Sequence, residues 1–317
     1  MAVTILKERW TSKVAEVTIG EGPKAVKVGG DSTLPYLTFE GQVPNAPVVA
    51  LEVSDVYPED WPEILKNAWG DVLSDPVAWA KKAVEFGADA VALRLDSAHP
   101  DKGNASAEDV ARTAKAVADA IDVPLIVLGC GVEEKDAEIF PTVGEVLQGK
   151  NCLIGCATQE NYNSIVATAL VNGHSVIASS PLDINLAKQL NILITEMNLP
   201  SDRIVIDPLI GALGYGIEYA YSIMERARLG ALTGDKMLAM PIICFVGQES
   251  WKAKEAKDEG SPEGYDWGGQ YTRAILWEVM TATTLLQAGG HLFLMRHPDS
   301  LKQFKDHVAA ISKGAQY

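Results

Sequence analysis

Four cysteines in 317 residues are too few for a disulfide scaffold, and a reducing compartment would keep them as thiols. Basic residues are also scarce: 27 Lys and Arg face 42 Asp and Glu, a formal net charge of −15. That field repels phosphate backbones and anionic lipid, so neither a nucleic acid nor a membrane is an expected partner. Long apolar runs are missing as well. The opening MAVTILKERWTSK meets charge within ten residues and does not suit a signal peptide. The uncharged stretch from Asn161 to Leu182 is broken by Asn163, Asn172, Gly173, His174 and Pro181, which a lipid-facing helix would tolerate poorly. A cytoplasmic protein is expected. No G-x-G-x-x-G follows the first strand, and no nucleophile elbow, Walker loop or H-E-x-x-H is found.

What the chain does hold is a rhythm. From residue 48 onward, eight short β-branched runs alternate with amphipathic stretches: 48–55, 88–96, 124–131, 152–158, 175–181, 203–211, 241–249 and 291–298. Helices between them have legible starts, with Asp75-Pro76 opening one and Ser106 capping the next. Further helices are expected from Asp183, Tyr215, Tyr271 and Ser300. Eight βα units without a linker predict a single (β/α)8 TIM barrel over 48–317, in preference to a doubly wound open sheet. Residues 1–47 form an extension in which SKVAEVTIG and KAVKVGG flank a Glu21-Gly22-Pro23 turn, predicting a β-hairpin on the barrel floor. The segment 251–269, mixed in charge and glycine, reads as a solvated loop at the catalytic face.

In such a barrel ligands bind where the strands end. Those ends offer Asp55, Asp96, Cys130 with Gly131, Thr158 with Gln159, Ser179 with Ser180, Asp207, Gly247 with Gln248 and Glu249, and Arg296 with His297. This is a ring of hydrogen-bonding groups with little acid-base machinery. Glu52, Arg94, Asp96 and Asp207 place charge within apolar strands and must be paired or solvated, as an ion network or as substrate-directed acids. The glycines of RIVIDPLIGALGYG, 203–216, could let backbone N–H groups approach a ligand.

Asp96-Ser-Ala-His99-Pro-Asp-Lys-Gly103 nearly reproduces the D-x-H-x-x-G pattern that supplies histidine to a corrinoid cobalt, but each spacing is off by one and His99 reads as a loop residue. Cys152 and Cys156, four residues apart on one strand, would share a face about 13 Å apart, too far for one metal ion. With Cys130 and Cys244 they read as buried thiols, and no metal ligand set is expected on this chain. His174 and His291 fall at strand starts and read as structural.

Five segments carry a resemblance: TFEGQVPNAPVVALEV (38–53), GADAVALRLDSAHPD (87–101), LGCGVEEKD (128–136), IDPLIGALGYGIEY (206–219) and GGQYTRAILWEVMTATTLLQAGGHLFLMRHP (268–298). Together they make the chain similar to the small subunit of the corrinoid iron–sulfur protein, also called the delta subunit of acetyl-CoA decarbonylase/synthase. The resemblance implies a barrel paired as a heterodimer with a larger subunit that carries the [4Fe–4S] cluster and a corrinoid-binding domain. The corrinoid would lie at the interface, against the mouth of this barrel. The pair would carry a methyl group on cobalt from a methyltetrahydrofolate methyltransferase to acetyl-CoA synthase in the reductive acetyl-CoA (Wood–Ljungdahl) pathway. Asp96, Cys130, Gly131, Thr158, Gln159, Ser179, Ser180, Asp207, Gly247 and Gln248 are then the candidate corrinoid contacts, with no catalytic residue on this chain.

The competing enzyme reading comes from pterin-binding barrels, which share a D-P-x-I-G-x-G-like stretch at Asp207 to Gly214. There Asp96 and Asp207 would hold the pterin of methyltetrahydrofolate and the chain itself would move the methyl group. Leu51-Glu52-Val53-Ser54-Asp55 departs from the expected early Asp-x-Gly-like pair, and no asparagine follows the strand containing Cys130. These departures favour a methyl-carrier subunit over an enzyme.

Overall fold

A computed structural model describes residues 6–314; residues 1–5 and 315–317, within the segments expected at 1–47 and 48–317, lie outside the described residues. A two-stranded antiparallel hairpin, β1 (Glu16–Ile19) and β2 (Val26–Gly29), comes first. Then follow β3 (Val48–Ser54), α1 (Glu63–Trp69), α2 (Pro76–Glu85), β4 (Ala90–Arg94), α3 (Ala107–Ala120), β5 (Leu125–Leu128), α4 (Glu133–Val146), β6 (Leu153–Ala157), α5 (Tyr162–Asn172), β7 (Ser175–Ser179), α6 (Ile184–Glu196) and β8 (Ile204–Asp207). The chain continues through α7 (Ile217–Leu232), β9 (Ile243–Cys244), α8 (Val246–Ser250), α9 (Lys254–Lys257), α10 (Gln270–Gln287), β10 (Leu292–Met295) and α11 (Pro298–Gly314).

Strands β3 to β10 are parallel, ordered β8-β7-β6-β5-β4-β3-β10-β9, and a bridge from Ile206 to Ile242 joins the two ends. The ring is therefore a closed (β/α)8 barrel, as the alternation of runs predicts. Its strands sort their side chains by the period of two. Ala90 and Ala92 of β4 point into the barrel with Val48, Ala50, Ile126, Leu294 and other small or branched residues, whereas Val91 and Leu93 pack outward against the helices.

The helix starts follow from their capping residues. Asp75 accepts from the N–H groups of Val77 and Ala78 at 2.9 and 3.2 Å, Ser106 accepts from Asp109 N–H at 3.2 Å, and Asp183 accepts from Asn185 and Leu186. At the strand starts the hairpin stops the barrel. Val17, Ile19 and Val28 are buried with the inward-facing strand residues, and Asn151, just before β6, donates to the carbonyls of Thr18 and Gly20.

Two expectations need correction. The seventh run is a strand only at Ile243–Cys244; from Val246 it coils into α8, so Gly247, Gln248 and Glu249 are helical. A short apolar run fits either period, and here a Cβ on Gly247 would meet the Arg296 backbone at 2.8 Å and Glu278 Oε1 at 3.0 Å, so tertiary packing decides. Cys152 and Cys156 also do not share a face. The register of β6 against β7 shifts between Ile154 and Ala157, which leaves Cys152 in the outer core and turns Cys156 to the barrel interior.

Candidate functional site

Every barrel strand, β3 to β10, carries its C-terminal end to the same mouth, which divides into two arcs of different chemistry. Over β3, β4, β9 and β10 lies a cavity of about 620 Å3 lined by charge, including Glu52, Arg94, Asp96 and Arg296. Glu52 and Arg94 are inward-facing residues of β3 and β4, and Arg296 follows β10, so all three project into the top of the barrel. Arg296 Nη2 and Nε donate to Glu52 Oε1 at 2.7 and 3.2 Å, and Arg94 Nε lies 3.6 Å from the same oxygen. Burial would raise the Glu52 carboxyl, but Arg296 and Arg94 outweigh it and hold the group below the usual carboxylate range.

The network extends from there. Arg94 Nη2 donates to Gln248 Oε1 at 2.8 Å, and the Arg296 guanidinium sits 5.1 Å from the centre of the Trp61 ring. Asp96 accepts from Ser54 Oγ at 2.8 Å and from Lys102 Nζ at 3.2 Å. Beneath it Glu278 of α10, wholly buried, accepts from Arg296 N–H at 2.6 Å, Trp251 Nε1–H at 3.0 Å and His297 N–H at 3.3 Å. Burial nonetheless pushes the Glu278 carboxyl above its ordinary range. Trp251, Ala253 and Ala256 are buried, so the first part of the 251–269 segment is packed rather than solvated; Lys252 and Lys257 line the cavity, and 258–266 is exposed.

The opposite arc, over β5 to β8, meets its carboxylates Asp136, Glu133 and Asp207 with neutral hydroxyl and backbone N–H donors rather than with arginine hydrogen bonds. After β5, the N–H groups of Cys130 and Gly131 donate to Asp136 at 2.7 and 3.2 Å. Gly131 has φ +87, and a Cβ there would meet no atom within 4 Å. After β6, Thr158 Oγ1 donates to Glu133 at 2.6 Å, and Gln159 is exposed. After β7 and β8, Ser179 Oγ donates to Asp207 Oδ2 at 2.8 Å, and Leu209 N–H donates to Oδ1 at 3.0 Å. Burial pushes the Asp207 carboxyl up to about 6 despite those donors. Ser180 is buried with its hydroxyl unpartnered, and Leu182 after β7 and Leu209 and Tyr215 after β8 are 42, 45 and 48% exposed.

Of the ten candidate contacts, then, Asp96 and Gln248 line the charged cavity with Glu52, Arg94 and Arg296. Cys130, Gly131, Thr158, Gln159, Ser179, Ser180 and Asp207 end strands on the opposite arc, and Gly247 is packed against Arg296 and Glu278. Burial pushes the Cys130 thiol up to about 11 and the Cys152 thiol up to about 12, so neither is a ready thiolate. His99 turns its Nδ1 to the Asp101 N–H at 3.1 Å, and His174 bridges Cys152 N–H and the Gly144 carbonyl. Among the described residues no three His, Cys, Asp or Glu side chains are grouped to hold a metal ion.

The closed eight-stranded barrel is similar in fold to solved dihydropteroate synthases. One from Xanthomonas albilineans, with 4-aminobenzoic acid, superposes with a TM-score of 0.60 over 89% of this chain and 98% of that one at 13% identity, a likeness of fold alone. A family model described as the CO dehydrogenase/acetyl-CoA synthase delta subunit matches residues 16–299, and the chain belongs to that family. It is 37% identical to acetyl-CoA decarbonylase/synthase complex subunit delta 1 of Methanosarcina thermophila, over 93% of this chain and 70% of that protein. It is 36% identical to the delta subunit of Methanopyrus kandleri, over 95% of this chain and 76% of the other. No described helix is long and apolar enough to cross a membrane.

Proposed function

We propose that this chain is the small subunit of a cytoplasmic corrinoid protein in which the barrel mouth covers a cobamide held by a larger, [4Fe–4S]-bearing subunit. The observation that carries the reading is the division of the mouth. On one arc, strong charges are tied to each other; on the other, exposed Gln159, the Thr158 hydroxyl, the open Gly131 and the exposed Leu182, Leu209 and Tyr215 offer apolar contact beside hydrogen-bonding groups. A corrin ring has apolar faces and a rim of amide side chains, so these donor and acceptor types fit it. Gln159 and Thr158 would hold the amides, and Gly131 would let the ring approach the backbone.

When bound, the corrinoid supplies a cobalt that accepts and releases a methyl group. The chain's own residues do less conspicuous work. They exclude water from one face, orient the ring through neutral hydrogen bonds, and keep free acids away from it, since the buried Asp207 is held by Ser179 and Leu209. In this reading the methyl group comes from a methyltetrahydrofolate methyltransferase and goes to acetyl-CoA synthase. The pterin alternative requires Asp96 and Asp207 to grip one ring, but both are already engaged, Asp96 by Ser54 and Lys102 and Asp207 by Ser179 and the Leu209 N–H.

Co-expression with the larger subunit tests the proposal. The barrel alone is expected to purify colourless, and the pair to show a corrinoid spectrum that Gln159→Lys with Gly131→Val weakens. A barrel that alone binds methyltetrahydrofolate in calorimetry and transfers its methyl group would overturn it.

A further inference from the structure

At the other end of the barrel a cavity of about 310 Å3 lies between the segment following the hairpin, the C-terminal end of α7 and the turn before β10. Asp31, Arg228 and His291 line it, and all three are buried. Arg228 Nη1 donates to Asp31 Oδ2 at 2.5 Å, and His291 Nε2 lies 2.9 Å from that oxygen. His291 Nδ1 accepts from Ile242 N–H at 2.9 Å, so the neutral imidazole, favoured by burial and by Arg228, carries its proton on Nε2, which also lies 2.7 Å from Arg228 Nη2. Burial disfavours an Asp31 carboxylate, but His291 and Arg228 outweigh it and hold the group down to about 2. One negative and one positive charge therefore cancel at this site.

Two polar atoms are left over. Asp31 Oδ1 and Arg228 Nε are both buried and have no hydrogen-bond partner among the described residues. One is an acceptor and the other a donor, and buried groups of either kind are costly to leave unmade. The surrounding wall is apolar, from Pro35, Val43, Ala46 and Leu286. Tyr36, also lining the space, holds φ at 62°, a left-handed conformation that side chains adopt against resistance and that gathers at binding sites.

We propose that this floor cavity binds a small uncharged molecule with an apolar, ring-sized body and a carboxamide or lactam edge, whose N–H meets Asp31 Oδ1 while its C=O takes the Arg228 Nε–H. An ion would arrive without a counter-charge, because Asp31 and Arg228 already neutralise each other. A plain hydrocarbon would leave both orphaned atoms unmet. The volume exceeds that of a benzene-sized cavity and sits at the lower edge of the range of drug-sized pockets. This inference is independent of the corrinoid reading, since it concerns the opposite end of the barrel.

The test uses the full chain and three probes of one shape: benzamide, benzoate and toluene. Ligand-observed NMR is expected to show benzamide binding about tenfold more tightly than either of the others, because only it satisfies both atoms. Ala46→Phe, which adds bulk at the exposed rim of the cavity away from the Asp31–Arg228 pair, is expected to weaken binding at least about tenfold. Crystals soaked in benzamide should place the amide against Asp31 and Arg228. No benzamide binding to the wild-type chain, equal binding of the three probes, or crystals holding only water there would overturn the proposal without recourse to any variant.

Discussion

The two ends of the barrel each bury a carboxylate against arginine, and they do so in different surroundings. At the mouth, Glu52 is shared by Arg94 and Arg296, whose side chains are 18 and 13% exposed and border a wide cavity. At the floor, Asp31 faces Arg228, whose side chain is 2% exposed, with a neutral His291 as third partner. The mouth cluster can borrow water when it is disturbed. The floor cluster is more deeply enclosed, so its charges lean mainly on each other and on the Gly289 carbonyl, which accepts from Arg228 Nη2 at 3.1 Å.

Removing one carboxylate at a time sharpens the contrast. Asp31→Ala strands the Arg228 guanidinium in the interior and is expected to cost about 3–5 kcal/mol, read as a loss of several degrees in thermal midpoint. Glu52→Ala frees two arginines, but water from the cavity reaches both, so about 1–3 kcal/mol is expected in the same measurement. Equal losses would mean that the cavity does not moderate the charge at the mouth.

A pH series separates the arcs of the mouth. The Asp207 carboxyl is raised to about 6 by burial, whereas the unfolded chain releases that proton near its ordinary value of 3.8. Between these values the folded state holds the extra proton, so this group's contribution to stability falls as pH rises from about 4 to about 6. Asp207→Asn is expected to remove that fall and to gain on the wild type steadily across the window in denaturant titrations. A flat difference would show that Asp207 ionises normally. The smallest effect is expected at the hairpin surface: Lys27→Ala breaks the exposed pair with Glu16, and its midpoint should move by less than about 0.5 kcal/mol equivalent.

Much of the architecture was legible because it is written locally. Asp75, Ser106 and Asp183 mark helix starts through their own side chains, and the β-branched runs mark strands by composition. The helix expected from Ser300 begins at Pro298, and that expected from Tyr215 to Leu229 spans Ile217–Leu232, the usual uncertainty of frayed ends. What local signals could not show is who meets whom. Asp31, Arg228 and His291 are separated by 197 and 260 positions, and no spacing rule connects them. Glu278 did leave a trace, as a lone carboxylate among Ala274, Ile275, Thr281, Ala282 and Leu285 on the buried stripe of α10. The split of the mouth into an arginine-paired arc and an arc of neutral donors depends on strand order around a closed ring, which a list of strand ends does not contain.

The floor hairpin has a consequence for assembly. It precedes its partners in the chain, yet Ser12 and Ala15 donate backbone hydrogen bonds to the carbonyls of Leu232 and Ala239, and Gly20 to that of Asn151. During synthesis this ribbon can pair only with itself and then with Asn151, and it meets Leu232 and Ala239 only after about two-thirds of the polypeptide has followed it. A stalled or truncated translation product would expose that ribbon's edge and the unplugged bottom of a half-built cylinder together, and both are surfaces that quality-control chaperones grip.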